Sequence, residues 1–138
     1  MQSSLSDDPD WRSAIDLVAA LRRRETSAAE TLEAVPERAD RVGPVLNPFS
    51  VRLDWRAREA ARAADAALAR REGGPLCGVP ATIKDSHWLA GVETTYGSPS
   101  MVGFVPQETS SAVERLIEAG AVVFAKTTVS EFAYWELC

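Results

Sequence analysis

Apolar residues recur at helical spacing from the first ordered-looking stretch of the chain: Trp11, Ile15, Val18 and Leu21 predict an amphipathic helix running to about Arg24. Ser27, followed by Glu30 three residues on, forms a capping box for a second helix. Its stripe is Ala28, Leu32, Val35, Ala39 and Val42. Pro36 falls inside that stripe and removes one backbone donor, which predicts a kink or break near Val35. Gly43-Pro44 closes the helix, and Leu46 to Asp54 reads as a short extended segment. Asp54 then caps an Ala-rich helix to about Arg71, with Gly73-Gly74 as its stop. Ala57, Ala60, Ala61, Ala64, Ala67 and Leu68 give it a narrow apolar face, suited to close packing on a sheet. The opposite face, with Arg56, Arg58, Glu59, Arg62, Asp65, Arg70 and Arg71, reads as solvated.

The pattern changes in the second half. Two glycines and two prolines stiffen Gly74 to Pro80, and Ala81-Thr82-Ile83 then runs straight into Lys84 and Asp85. A short apolar run bounded by turn residues suits a buried strand. Thr109 or Ser110 caps a helix carrying Val113, Leu116 and Ile117, and Gly120 ends it. Ala121 to Ala125 follows as an apolar strand closed by Lys126. Neither strand alternates polar with apolar, as expected where both faces are covered. Strand, helix, strand implies a parallel pair joined by a right-handed crossover, and so an α/β fold. The loop from Ser86 to Ser100 is long enough to be functional. Residues 1–10 are polar and acidic and are expected to be disordered.

Composition narrows the class. At 138 residues, 46% hydrophobic and 25% charged, the chain has the make-up of one ordinary globular domain. A net charge of −5 speaks against direct nucleic-acid binding, which needs clustered Lys and Arg. The one basic run, Arg22-Arg23-Arg24, ends a predicted helix, where cations complement the dipole. Cys77 and Cys138 make neither a disulfide framework nor a metal set, so free thiols in a reducing cytoplasm are expected. The start lacks the pattern of a signal peptide, and no apolar run reaches membrane-spanning length. With His87 the only histidine, no Ser-His-Asp triad and no His-based metal cluster can form within the chain.

Lys84 is a candidate for chemistry, against the plainer alternative of a strand-end lysine whose charged head reaches water. Open α/β sheets build their sites at the carboxyl edge of the strands, and no other ionisable group reads as so apolar in its setting. A lysine that accepts a proton must first be neutral, whereas ordinary lysines titrate near about 10.4; desolvation at a strand end opposes the charged form. Asp85 points to the other face if the strand continues, and so need not hold Lys84 charged. Lys126 has the same strand-end geometry and is a rival on geometry alone. Thr94, Thr95, Gly97 and Ser98 are weaker candidates for lining a substrate pocket, because turn chemistry accounts for them equally well. Glu131 is expected to hold a loop through backbone hydrogen bonds, and His87 to lie on the loop surface.

The blocks Gly74-Pro75-Leu76-Cys77-Gly78-Val79-Pro80, Ile83-Lys84-Asp85 and Gly91-Val92-Glu93-Thr94-Thr95-Tyr96-Gly97-Ser98 resemble the amidase signature family. The similarity continues through Val113-Glu114-Arg115-Leu116, Ala119-Gly120-Ala121-Val122 and Lys126-Thr127 to Ser130-Glu131-Phe132-Ala133. The resemblance implies that residues 11–138 are the N-terminal part of one amidase-signature domain, with helices packed on an incomplete mixed sheet. It implies acyl transfer from a small-molecule amide to water through a seryl acyl-enzyme, with no cofactor and no metal. In the family's Ser–cis-Ser–Lys triad, Lys84 takes the place of the general base, and Lys126 that of a structural or pocket-edge cation. The family's two serines lie in a later Gly/Ser-rich segment, which this sequence does not contain. The isolated chain is therefore expected to be inactive, and to need the missing segment or to self-associate. Two alternatives stay open: the transamidating subunit of a tRNA-dependent amidotransferase, and a non-catalytic split chain acting only through a partner. Thr109, Ala125 and Ser86 depart from the family's usual aspartate, glycine and asparagine; none of these changes touches Lys84.

Overall fold

The computed structural model describes residues 12–135, so the expected disorder of residues 1–10, and Trp11 and Cys138, lie outside the described residues. Three helices, α1 (Ala14–Arg23), α2 (Ala28–Leu46) and α3 (Asp54–Arg70), bracket a short strand β1 (Phe49–Arg52). Strand β2 (Pro80–Lys84), helix α4 (Ser111–Glu118) and strand β3 (Val122–Thr127) follow. The sheet order is β1-β3-β2, with β1 antiparallel and β2 parallel to β3. The expected parallel pair and the mixed α/β sheet are both present.

The helical half follows its stripes with some changes. Ser27 and Glu30 form the capping box, each accepting the other's backbone N–H, at 3.1 Å and 2.9 Å. Of the predicted stripe, Leu21 is buried, whereas Ile15 is 81% exposed; Ala20 is buried beside Leu21, with Leu17 packed against the same core. The predicted break near Val35 does not occur, nor does Gly43-Pro44 end the helix: α2 is one element to Leu46, closed by Asn47 in the left-handed region. Losing the Pro36 donor removes one backbone bond, while the buried Ala28, Leu32 and Ala39 hold the rest of the helix down. Asp54 is the first helical residue of α3 rather than its cap, and pairs with Arg52 at 2.8 Å. The stop of α3 is Arg71, at φ 62°, rather than the glycine pair. Gly74 serves close packing, since a Cβ there would lie 2.6 Å from the Ala119 carbonyl oxygen.

Asp65 departs from the solvated face assigned to it. Its two oxygens accept the free N–H groups of Ala28 (2.7 Å) and Ala29 (3.1 Å), so α3 caps the start of α2. Arg24 returns the tie from α1, donating to the Ala69 carbonyl at 2.8 Å. The basic run thus ends a helix, as read from the sequence, and its last member also joins two helices. Ala57, Ala61 and Ala64 are buried on the sheet side of α3, while Ala60 faces outward.

Two apolar clusters flank the sheet. One gathers Leu21, Leu32, Ala57, Ala61, Val122 and Phe124 under the helices. The other gathers Leu53, Ile83, Leu89, Val92, Val113 and Val123. Strand β3 lies in the centre and is buried from Val122 to Lys126, as its unbroken apolar run demands. Strand β2 is an edge strand in which only Ile83 is buried, so the expectation of cover on both its faces fails here. Thr109 does not cap α4; its hydroxyl accepts the Ala90 N–H at 3.1 Å, and Ser110 occupies the cap position.

Candidate active site

Lys84 is the last residue of β2, paired in register with Thr127 of β3, and its side chain is exposed. Ile83 before it and Asp85 after it are buried. Successive strand residues point to opposite faces, so Lys84 and Asp85 part company as the sequence suggested. The apolar setting expected of Lys84 belongs to other groups. Lys126 is 0% exposed and Asp85 1%, and the ammonium Nζ lies 2.7 Å from Asp85 Oδ1. These two lysines are the only ones in the sequence, and they stand in opposite surroundings at the ends of neighbouring strands.

Three acceptors surround the Lys126 ammonium: Asp85 Oδ1, the Glu93 carbonyl at 2.9 Å, and Thr94 Oγ1 at 2.5 Å. The contact to Asp85 is an ion pair lacking the alignment of a hydrogen bond, whereas the other two are aligned. Burial pushes the Lys126 ammonium below the usual lysine range, and the Asp85 charge opposes that shift without cancelling it. Asp85 Oδ2 accepts both the backbone N–H of Thr95 (3.1 Å) and its hydroxyl (2.6 Å).

The weaker candidates fall into this network. Thr94 is fully buried, and its hydroxyl is used by Lys126. Thr95 serves Asp85, and its hydroxyl also receives the Gly97 N–H at 3.2 Å. Gly97 sits at φ 67°, where a Cβ would lie 2.2 Å from the Val129 carbonyl oxygen; only glycine fits. Ser98 is buried and donates to Glu131 Oε1 at 2.7 Å. Glu131 thus ties the loop through a serine hydroxyl rather than through the backbone. Tyr96 stacks on Phe132 with ring centroids 6.1 Å apart, and its carbonyl accepts the Phe132 N–H. His87 is exposed, its N–H closing a turn on the Lys84 carbonyl at 2.9 Å. Among the described residues no group of three or more His, Cys, Asp or Glu side chains could hold a metal. No helix among them is long and apolar enough to cross a membrane.

The buried Asp85–Lys126 pair went unread in the sequence. The signal was there: a lysine inside the apolar run Val122–Thr127 needs a counter-charge, and Asp85 directly follows the end of the parallel neighbour.

This chain belongs to the amidase family, whose model, described as Amidase, matches residues 30–138. It is 43% identical over 114 residues to a glutamyl-tRNA(Gln) amidotransferase subunit of Gluconobacter oxydans, a match spanning 83% of this chain and 23% of the relative. The corresponding subunit of Methylococcus capsulatus is 42% identical over 118 residues, spanning 86% and 24%. Among solved structures, the peptide amidase of Stenotrophomonas maltophilia superposes with a TM-score of 0.81 at 32% identity, over 90% of this chain and 26% of that one. A bacterial aryl acylamidase of the amidase signature family superposes at 0.82 with 22% identity and covers 88% and 26%; that likeness concerns the fold alone. The chain therefore spans about a quarter of the length of the relatives it matches.

Proposed function

We propose that this chain supplies the base-bearing part of an amide hydrolase, with Lys84 as the general base of an acyl transfer completed by serines outside this sequence. In that reaction the neutral Lys84 amine takes a proton from a bridging serine, which in turn deprotonates the nucleophile. The nucleophile attacks the amide carbonyl, the proton held by Lys84 passes back through the bridging serine to the departing nitrogen as the C–N bond breaks, and water then hydrolyses the acyl-serine to the acid and the free serine. The observation that carries the reading is the sorting of charges at the end of β2: Lys84 is open to solvent on one face, while its neighbour Asp85 is bound to Lys126 on the other. No carboxylate on its own strand then holds the Lys84 ammonium in place.

A second reading is favoured by the named relatives: release of ammonia from an amide within a tRNA-dependent amidotransferase, in which the nitrogen is passed on for transfer. Both readings use Lys84 in the same way. They part on whether partner subunits raise the rate of ammonia release from the amide.

The test is a completed polypeptide, in which this whole chain replaces the matching segment of the Gluconobacter oxydans relative. It should release ammonia from an amide, and Lys84→Ala should lower kcat by at least about 10³-fold, within the usual contribution of a general base, because the nucleophile then lacks its activator. The unfolding midpoint should stay within about 1 °C, since the side chain is exposed. Undiminished turnover in Lys84→Ala would overturn the assignment.

A further inference from the structure

The residue after Lys84 is a buried carboxylate with both oxygens engaged. Asp85 uses Oδ1 for the Lys126 ammonium and Oδ2 for both donors of Thr95. Lys126 donates to the Glu93 carbonyl and to the Thr94 hydroxyl. Three segments meet here: the end of β2, the end of β3, and the loop 93–98. The backbone is knotted around the same point. The Asp85 N–H donates to the Thr127 carbonyl at 3.0 Å, the His87 N–H to Lys84, and the Tyr96 N–H to the Asp85 carbonyl at 3.3 Å. Each of these three backbone bonds includes a residue within three positions of Lys84.

As a source of stability, such a pair is poorly chosen. Burying two charges costs about as much as their attraction returns, and apolar replacements of similar volume are often neutral or better. What the pair does supply is a fixed geometry. It turns the carboxylate beside Lys84 away to the far face, and it locks the strand end from which Lys84 projects. Proton transfer depends on that placement, and a displacement of about 1 Å can cost about a hundredfold in rate.

We propose that the Asp85–Lys126 pair, with Thr95, is a positioning device for Lys84. The inference rests on Lys84 being the base. Neither Asp85 nor Lys126 touches the reacting atoms; they act through the strand end and the loop.

The experiment uses the same completed polypeptide, with functional sites counted by the burst of leaving group that accompanies acylation. Counting sites removes any loss caused only by misfolded protein. Lys126→Met should lower kcat per titrated site by about 10- to 100-fold while KM stays within about twofold. Thr95→Val, which removes one hydroxyl donor and keeps the shape, should lower kcat per site about 3- to 10-fold, and Thr95→Ser should restore it. If Lys126→Met yields no folded protein, the Thr95 pair decides the matter. An unchanged kcat per site in Lys126→Met, or in Thr95→Val where Lys126→Met does not fold, overturns the positioning role and leaves the base assignment standing. Full activity in Lys84→Ala overturns the base assignment, and with it any positioning role directed at Lys84.

Discussion

The carboxylate of Asp85 meets the ammonium of Lys126 at 2.7 Å, with both side chains closed off from solvent. The residue beside Lys84 in the sequence is thereby committed to the opposite face of the sheet. Removing either partner leaves the other charge buried without its counter-charge. Lys126→Met or Asp85→Asn should each lower stability by about 3–5 kcal/mol, and the two together by clearly less than the sum, measured by denaturant unfolding of the completed polypeptide. Additive losses would show that the two charges do not interact.

Gly97 and Gly91 offer a matched pair. Both have positive φ, 67° and 74°, but a Cβ at Gly97 would strike the Val129 carbonyl whereas at Gly91 it meets open space. Gly91→Ala should cost about 1 kcal/mol of backbone strain; Gly97→Ala should cost at least about 3 kcal/mol and detach the loop from residues 129–132. Comparable unfolding midpoints for the two variants would refute the close approach.

Much of the fold was legible in the sequence. The capping box at Ser27, the parallel β2–β3 pair and the opposite orientation of Lys84 and Asp85 follow from local rules, and they hold. The misses are tertiary. Pro36 does not break α2, because burial of Leu32 and Ala39 outweighs one lost backbone bond. Asp65 reads as part of a solvated face, yet it finds the N-terminus of a helix far away in sequence. The desolvated lysine is Lys126 rather than Lys84, because β3 takes the central place in the sheet and β2 the edge. Strand order is not written in either strand's own residues.

Cys77 is buried against the Ala64 carbonyl, and desolvation raises its thiol above the usual range. The native thiol should therefore react with iodoacetamide at pH 8 far more slowly than the unfolded one, as read by mass spectrometry. Because its folded pKa lies above the unfolded one, its contribution to stability is complete below the ordinary thiol pKa and drains away as pH rises through the folded value. Rapid alkylation of native Cys77 would contradict the burial.

Strand β2 leaves its outer edge unpaired among the described residues, with Thr82 and Lys84 exposed along it. Such edges pair with whatever strand is offered. The 138-residue chain by itself should self-associate in sedimentation, and added complementary segment should convert it to a discrete heterodimer. A monomer that unfolds cooperatively would contradict this.

The central claim is that the exposed lysine moves the proton and the buried lysine holds the frame. Chemical rescue of the completed polypeptide tests it most directly, by adding small alkylamines to Lys84→Ala and to Lys126→Ala. Removing an exposed side chain leaves a space that an amine can enter from solvent, whereas the space left by Lys126 is sealed. Saturable recovery of turnover in Lys84→Ala, following the free-base form of the amine, with none in Lys126→Ala, is the predicted result. Recovery in Lys126→Ala alone would contradict the account and assign the proton transfer to the other strand.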